Sequence, residues 1–152
     1  MSKPSPAGAG AGNPCPCGAG SYDSCCGPFH RGEGWPASAE QLMRSRYSAY
    51  VLGDGSWLRR TWHPSTCPDG LEQDIANESA PGAPRVQWLG LTVRGKAQQD
   101  EDHAEVEFVA RYKVNGKATR MHERSRFVRE PAAPGEAPRW LYLDGQMLGE
   151  QR

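Results

Sequence analysis

The chain has 152 residues, of which 18 are basic and 18 are acidic, so its formal net charge at pH 7 is zero. A balanced charge argues against a protein that holds nucleic acid mainly through bulk electrostatics. No apolar run approaches the roughly eighteen residues of a membrane helix, and a chain of this length forms about one domain. We therefore expect a single modest core in a cytoplasmic protein without membrane attachment.

Four cysteines lie close together near the N-terminus, after a lead over residues 1–13 whose Pro, Ala, Gly and Ser composition predicts disorder. A tetrahedral zinc ion binds four thiolates at about 2.3 Å, and two close cysteine pairs joined by a glycine-rich loop can surround one ion without a hydrophobic core. The segment 14–34 is therefore predicted to be a zinc knuckle. Its ligands are Cys15, Cys17, Cys25 and Cys26.

Two other uses of the cysteines compete with zinc binding. Disulfides need an oxidising compartment, whereas residues 1–12 carry one lysine and no apolar run and so do not form a secretory signal. A redox or free-thiol role stays open. His30 could replace one cysteine as a ligand, but we expect it to face solvent. Cys67 stands alone and is expected to be a small buried apolar residue.

Helical signals occupy the first half of the remaining chain. Ser38 with Gln41 three residues later forms a capping-box pattern, and apolar residues then recur at helical spacing until Gly53. Asp54 can cap a second helix that Pro64 ends. The pattern predicts helices over 38–53, 54–63 and 69–77.

Strand signals follow from Arg85, and two Pro-rich and Gly-rich stretches, 80–84 and 131–138, are predicted loops. Alternating residues predict strands over 86–94, 103–114 and 139–144. Asn115 and Gly116 are typical of a two-residue hairpin turn, which pairs Val114 with Lys117 and fixes the register beyond them.

That register places Glu123 on the apolar face of the hairpin, opposite Phe108. The other face has Glu107 opposite Arg124 and Glu105 opposite Arg126, which suits a wet surface. A carboxylate on an apolar face needs a cation or several donors, and the first helix offers Arg44 and Arg46. Glu123 is therefore either half of a structural ion pair with one of these arginines or an acid in a pocket.

Three further residues are weaker candidates for acid or base chemistry. Asp144 follows Trp140 and Tyr142 on the same predicted strand face, although Asp144 and Gly145 are also a common turn pair. His63 lies at a predicted helix end, where capping or packing is the more frequent role. His122 falls on the charged face of the hairpin and is expected to be solvated.

Several motifs resemble those of a known family. The knuckle resembles the SEC-C zinc motif, with a gap between Cys17 and Cys25 that is one residue shorter than usual, and the rest resembles the bacterial YchJ family. The motifs that carry the likeness begin at Cys15 (CPCG), Cys25 (CCGP), Leu42 (LMRSRYSAY), Thr61 (TWHPS), Trp88 (WLGLTV), Phe108 (FVAR) and Glu123 (ERSRF). The resemblance implies an α+β fold in which residues 35–152 form a nuclear-transport-factor-2-like cone of helices on a curved antiparallel sheet. It implies no particular reaction, since the family has none assigned.

Two functions of different classes follow. In the first, the knuckle is an adaptor that docks a protein or ribonucleoprotein partner, by analogy with the SEC-C motif that ends the bacterial preprotein translocation ATPase. In the second, the cone encloses a small-molecule pocket with Glu123 or Asp144 as acid or base. Four thiolates leave no open coordination position, so the zinc would be structural. The sequence therefore favours the adaptor.

Overall fold

The computed structural model describes residues 13–78, 81–83, 85–131 and 133–151. The predicted disordered lead falls outside them except for Asn13, as do parts of both predicted loops. After a 3-10 turn over Tyr22–Ser24, the elements are α1 (Gly27–His30), α2 (Ala39–Leu52), α3 (Gly55–Arg60), α4 (Leu71–Asn77), β1 (Val86–Asp100), β2 (His103–Val114), β3 (Lys117–Pro131) and β4 (Pro138–Gln151).

The helix boundaries follow from local capping. The Ser38 hydroxyl accepts the Gln41 N–H at 3.1 Å at the start of α2, and Gly53 ends the helix with a φ of 75°. The Asp54 carboxylate accepts the Trp57 N–H at 3.1 Å and caps α3. This helix ends at Arg60, three residues before the end that the sequence predicts.

The four strands form one antiparallel sheet in the order β1-β2-β3-β4. Asn115 and Gly116 both have positive φ, 51° and 86°, which is the geometry of a type I′ hairpin turn. The predicted β2–β3 register is confirmed along its length, including the pairs of Val114 with Lys117 and of Phe108 with Glu123. Strands β1 and β4 are longer than predicted, and bulges interrupt their pairing.

The core lies between α2 and the inner face of the sheet. Buried residues of α2 such as Leu42 and Tyr47 belong to one apolar cluster with sheet residues such as Val106 and Phe127. Cys15, Cys17 and Cys26 are part of that same cluster. Among the described residues, no helix is long and apolar enough to cross a bilayer.

Candidate functional site

A cavity of about 290 Å³ opens between α2 and the inner face of the sheet. Helix α2 and the four strands supply most of its wall, and six of its lining side chains are aromatic. The lining residues are Met43, Arg46, Tyr47, Tyr50, Glu78, Trp88, Phe108, Ala110, Met121, Glu123, Ser125, Phe127 and Tyr142. The sequence marks the inward-facing strand residues but not the cavity, because the space depends on how far α2 stands from the sheet.

Arg46 carries a buried positive charge into this cavity, and its residue is only 5% exposed. Its Nη1 donates to the Leu58 carbonyl at 2.9 Å and to the Thr61 hydroxyl at 2.7 Å. The guanidinium carbon lies 4.6 Å from the ring centre of Trp62 and 4.3 Å from that of Tyr142. Loss of hydration lowers the pKa of Arg46. Among the described residues, the Arg46 guanidinium therefore contacts two neutral oxygen acceptors and the faces of two aromatic rings.

Glu123 lies on the apolar face of the sheet, as the predicted register requires. The Ser125 hydroxyl donates to its Oε2 at 2.8 Å. No ion pair within 4.0 Å joins Glu123 to Arg46 in the part of the chain that the structure describes. The two charges thus line one cavity without forming a direct ion pair.

Arg44 does not take part in this cavity. It forms an ion pair with Glu40 at 3.0 Å and donates to the Cys17 carbonyl at 2.9 Å, so it faces the cysteines. The prediction that Arg44 could pair with Glu123 is therefore wrong. Arg46 is two positions further along α2, and at 3.6 residues per turn that places it on nearly the opposite side of the helix.

Gly145 permits the position of the Glu123 carboxylate. A Cβ atom at Gly145 would lie 2.0 Å from Glu123 Oε2 and 3.1 Å from the Tyr142 hydroxyl. The sequence pairs Gly145 with Asp144 as a possible turn, whereas both lie inside β4. The absence of a side chain at Gly145 thus makes room for the Glu123 carboxylate.

Asp144 lies outside the cavity. β3 pairs Phe127 with Tyr142 but Arg126 with Asp144, so Leu143 is an extra residue in a bulge. The bulge turns Asp144 to the charged face, and the prediction that it shares a face with Tyr142 is wrong. Arg126 donates to both its oxygens at 2.7 and 2.6 Å, and this contact lowers the pKa of Asp144.

The two weaker histidine candidates also lie away from the cavity. The His63 Nε2 is 2.9 Å from a Glu130 oxygen, and its Nδ1 accepts the Ser65 N–H at 3.0 Å. This arrangement holds the loop after α3 against the sheet. His122 is not simply solvated, because its Nε2 lies 2.6 Å from Glu107.

The four N-terminal cysteines converge as the metal hypothesis requires. All four Sγ atoms lie within 4.8 Å of one another, with Cys17 and Cys25 at 3.5 Å and Cys25 and Cys26 at 4.0 Å. Thiolates placed about 2.3 Å from one tetrahedral zinc ion would be about 3.8 Å apart. The donor set and its spacing therefore fit a four-thiolate metal site.

Tight turns bring these cysteines together. The Cys15 N–H donates to the Gly20 carbonyl at 2.7 Å, and the Gly18 N–H donates to the Cys15 carbonyl at 3.0 Å. Gly18 has a φ of 85°, which an L side chain would strain. A Cβ at Gly27 would come within 2.7 Å of the Tyr22 carbonyl oxygen. Gly18 and Gly27 thus permit the tight turns that bring the four cysteines together.

Helix α2 contacts the cysteine cluster through Ser48. The Ser48 hydroxyl lies 3.4 Å from the Sγ atoms of both Cys15 and Cys26. Hydrogen bonds from Cys17 and Cys26 lower the pKa of Cys15, whereas burial, followed by interaction with Cys17, raises the pKa of Cys25 to about 12.

His30 and Cys67 both depart from expectation. His30 is half-buried rather than solvent-facing, with Nδ1 at 2.6 Å from the Tyr22 hydroxyl and Nε2 at 2.9 Å from the Ser45 carbonyl. Because a carbonyl can only accept, Nε2 donates to it, and both ring nitrogens are engaged away from the cysteines. Cys67 is half-buried rather than buried, with Sγ at 3.6 Å from Arg59 Nη1.

Comparison with known proteins decides the family. The profile described as "YchJ, middle NTF2-like domain" matches residues 38–145. The chain belongs to the YchJ family. It is 62% identical over 129 residues to a UPF0225 protein of Cupriavidus pinatubonensis, which covers 85% of this chain and 84% of that protein. It is also 62% identical over 131 residues to a UPF0225 protein of Ralstonia nicotianae, covering 85% and 88% respectively.

Two solved structures share the fold, and both are named as SEC-C motif containing proteins. The solution structure of a SEC-C motif containing protein from Rhodopseudomonas palustris has a TM-score of 0.70 and 33% identity, covering 90% of this chain and 99% of that one. The crystal structure of a SEC-C motif containing protein from Psychrobacter arcticus has a TM-score of 0.71 and 28% identity, covering 86% and 80%. The nuclear-transport-factor-2-like α+β fold and the SEC-C resemblance are thereby confirmed.

Proposed function

We propose that this YchJ-family protein binds a small organic molecule in the cavity between α2 and the sheet, and that the cysteine cluster holds a structural zinc ion. The observation that carries the first part is the buried Arg46 charge, which lines the cavity without a carboxylate within 4.0 Å among the described residues. A desolvated cation without an opposite charge is unfavourable, so a ligand that supplied one would be held strongly.

The shape and composition of the cavity support the same proposal. Ligand sites are mostly apolar concavities with a few polar groups that set orientation. Here six aromatic side chains line one cavity together with two opposite charges, Arg46 and Glu123. A smaller cavity of about 130 Å³ adjoins it and shares Tyr50, Glu78 and Trp88. The two cavities therefore meet at these three residues.

Zinc is the metal that four thiolates at this spacing suit best. Cys15, Cys17, Cys25 and Cys26 would hold it, and it would supply no catalytic chemistry, because four protein ligands leave no open position. Its role would be to close the loop over residues 14–34 against α2. Thiolate ligands persist where thiols stay reduced, which is consistent with a cytoplasmic location.

Docking of a protein or ribonucleoprotein partner through residues 14–34 stays a prediction. Cys15, Cys17 and Cys26 face the body of the protein rather than solvent, and Ser48 contacts two of them. A docking surface would have to use exposed positions of this segment instead, such as those at 18–20 and 31–34. The structure offers more specific chemistry in the cavity, so the pocket is the function that we favour.

The direct test is a ligand-observed NMR screen of a chemically diverse fragment library against the full chain. Ala110 lines the cavity and is fully buried, whereas Ala97 is exposed on β1. Ala110→Leu should fill the cavity and abolish the signals of bound fragments, while Ala97→Leu should leave them unchanged. Fragment binding that is equal in wild type and Ala110→Leu, or no binding at all, would contradict the proposal.

A further inference from the structure

We infer that the ligand of this cavity is a small aromatic carboxylate that also carries a hydrogen-bond donor, such as a hydroxyl or amino group. This inference rests on the proposed ligand-binding function and adds the chemical class of the ligand. It follows from three features of the cavity: the free edge of one arginine, the free oxygen of one glutamate and the aromatic wall between α2 and the sheet.

The free edge of Arg46 selects an anion of particular geometry. A guanidinium has five N–H bonds, and both hydrogens of Nη1 are used by the Leu58 carbonyl and the Thr61 hydroxyl. Neither Nε nor Nη2 has a hydrogen-bond acceptor among the described residues. Together these two nitrogens form the planar fork that binds both oxygens of a carboxylate.

The same fork is occupied elsewhere in this protein. Arg126 Nε and Nη2 donate to the two carboxylate oxygens of Asp144 at 2.7 and 2.6 Å on the outer face of the sheet. That pair is partly exposed and is therefore weakened by water. Arg46 has the same unfilled edge on a residue that is only 5% exposed, so a carboxylate there would gain more from each contact.

Glu123 selects a second group on the ligand. Its Oε2 accepts from Ser125, whereas Oε1 has no donor in the described part of the chain. A ligand that presented only a carboxylate would meet repulsion from this negative charge. A ligand that also presents an O–H or N–H donor would satisfy Oε1 and offset the repulsion.

The aromatic wall selects the body of the ligand. The Tyr47 and Trp88 rings meet edge to face with centres 5.5 Å apart, and Trp88 packs on Tyr50 at 6.4 Å. Phe108 of β2 and Phe127 of β3 line the same cavity. Aromatic rings favour offset or edge contacts with another ring, and a volume near the lower limit of ligand sites admits about one small ring system.

The test is a calorimetric or NMR titration of the full chain with three matched probes. 4-Hydroxybenzoate has the carboxylate and the donor, 4-hydroxybenzamide lacks the negative charge, and benzoate lacks the donor. Because hydrogen bonds to charged groups are the stronger ones, we expect the amide to bind about ten- to a hundredfold more weakly than 4-hydroxybenzoate. Benzoate should bind about tenfold more weakly.

Two variants assign these differences to residues, each with a matched control on the outer face. Arg46→Met should remove the preference for the acid over the amide, whereas Arg126→Met should keep it. Glu123→Gln should reduce the preference for the hydroxyl-bearing probe, whereas Glu105→Gln should not. The wild-type series decides the ligand class by itself should Arg46→Met fail to fold.

The outcomes separate the two proposals. Equal affinity for the acid and the amide, or an acid preference that survives Arg46→Met, would overturn the aromatic carboxylate while the cavity remains a ligand site. If fragments bind in an Ala110-dependent manner but none of the three probes binds, the aromatic carboxylate would be overturned as well. Absence of any Ala110-dependent binding would overturn the proposed function itself.

Discussion

The side-chain oxygen of Ser48 lies 3.4 Å from the Sγ atom of Cys15, which joins the middle of α2 to the predicted metal site. The same helix presents Arg46 and Tyr50 to the cavity. Helix α2 therefore stands between the cysteine cluster and the cavity and contacts both.

Replacing Cys15 and Cys17 together by serine should release the metal and lower the stability of the whole chain. Both residues belong to the buried cluster that contains Leu42, so we expect the free energy of unfolding to fall by about 2 to 5 kcal/mol. Thermal unfolding and metal analysis of the purified protein would measure the two effects. Cys67→Ser should change neither, and an unaltered melting transition in the double variant would mean that residues 14–34 fold independently.

Ser48→Ala tests the support that α2 gives to the cluster. The hydroxyl contacts Cys15 and Cys26, and outer groups of this kind tune metal affinity by about ten- to a hundredfold. We expect the affinity for zinc to fall by about tenfold in a competition titration with a chromophoric chelator. The exposed Ser56→Ala on α3 is the matched control. An affinity equal to that of the wild type would show that the contact is only packing.

The features that the sequence predicts well are those with a local cause. A hydroxyl or carboxylate at a helix start, as at Ser38 and Asp54, satisfies N–H groups within three residues. The Asn115 and Gly116 turn fixes the pairing of every later residue in the hairpin, which is why Glu123 could be placed on the apolar face. Neither inference depends on distant parts of the chain.

The errors arise where a single extra residue or a helix rotation decides the outcome. The Leu143 bulge reverses the faces of β4 after Tyr142, and alternation alone gives no signal for it. Arg44 and Arg46 could have been separated from the sequence, because residues two apart on a helix point about 200° apart. Only one of them could reach the sheet, although the pattern does not say which. The cavity itself depends on long-range packing.

Gly145→Ala should disturb the cavity without removing either of its charged groups. The new methyl group would overlap the Glu123 carboxylate and approach the Tyr142 hydroxyl, so one of them must move. We expect the free energy of unfolding to fall by about 1 to 3 kcal/mol and fragment binding to weaken. Gly149→Ala lies further along the same strand with no atom within 4 Å of its Cβ and should be tolerated. Equal denaturation midpoints for the two variants would contradict the assignment.

Glu40 should make stability depend on pH in the acidic range. Lys96, at 2.8 Å, and then Arg44 hold its pKa below the ordinary value of 4.5. A carboxylate with a lowered pKa stabilises the folded state above its unfolded pKa, and this contribution is lost as pH falls through the folded value. Glu40→Gln should therefore lower the free energy of unfolding by about 0.5 to 1 kcal/mol at pH 7.

Urea denaturation from pH 7 to pH 3 would measure this effect. The difference between Glu40→Gln and wild type should shrink below pH 4.5 and vanish once Glu40 is protonated in both states. Glu101→Gln, at a side chain that is 84% exposed, should show little difference at any pH. A difference for Glu40→Gln that stays constant over the whole range would contradict the ion-pair explanation.

Asp144→Asn distinguishes the outer face of the sheet from the cavity. Because the bulge turns Asp144 toward Arg126, we expect the affinity for a cavity ligand to stay within about twofold of the wild type. Its ion pair is partly exposed and screened by water, so the free energy of unfolding should fall by no more than about 1 kcal/mol. Glu123→Gln, in the same titration with 4-hydroxybenzoate, should weaken binding instead. If Asp144→Asn weakened binding as much as Glu123→Gln, Asp144 would belong to the cavity after all. The bulge would then not place the two carboxylates on different faces.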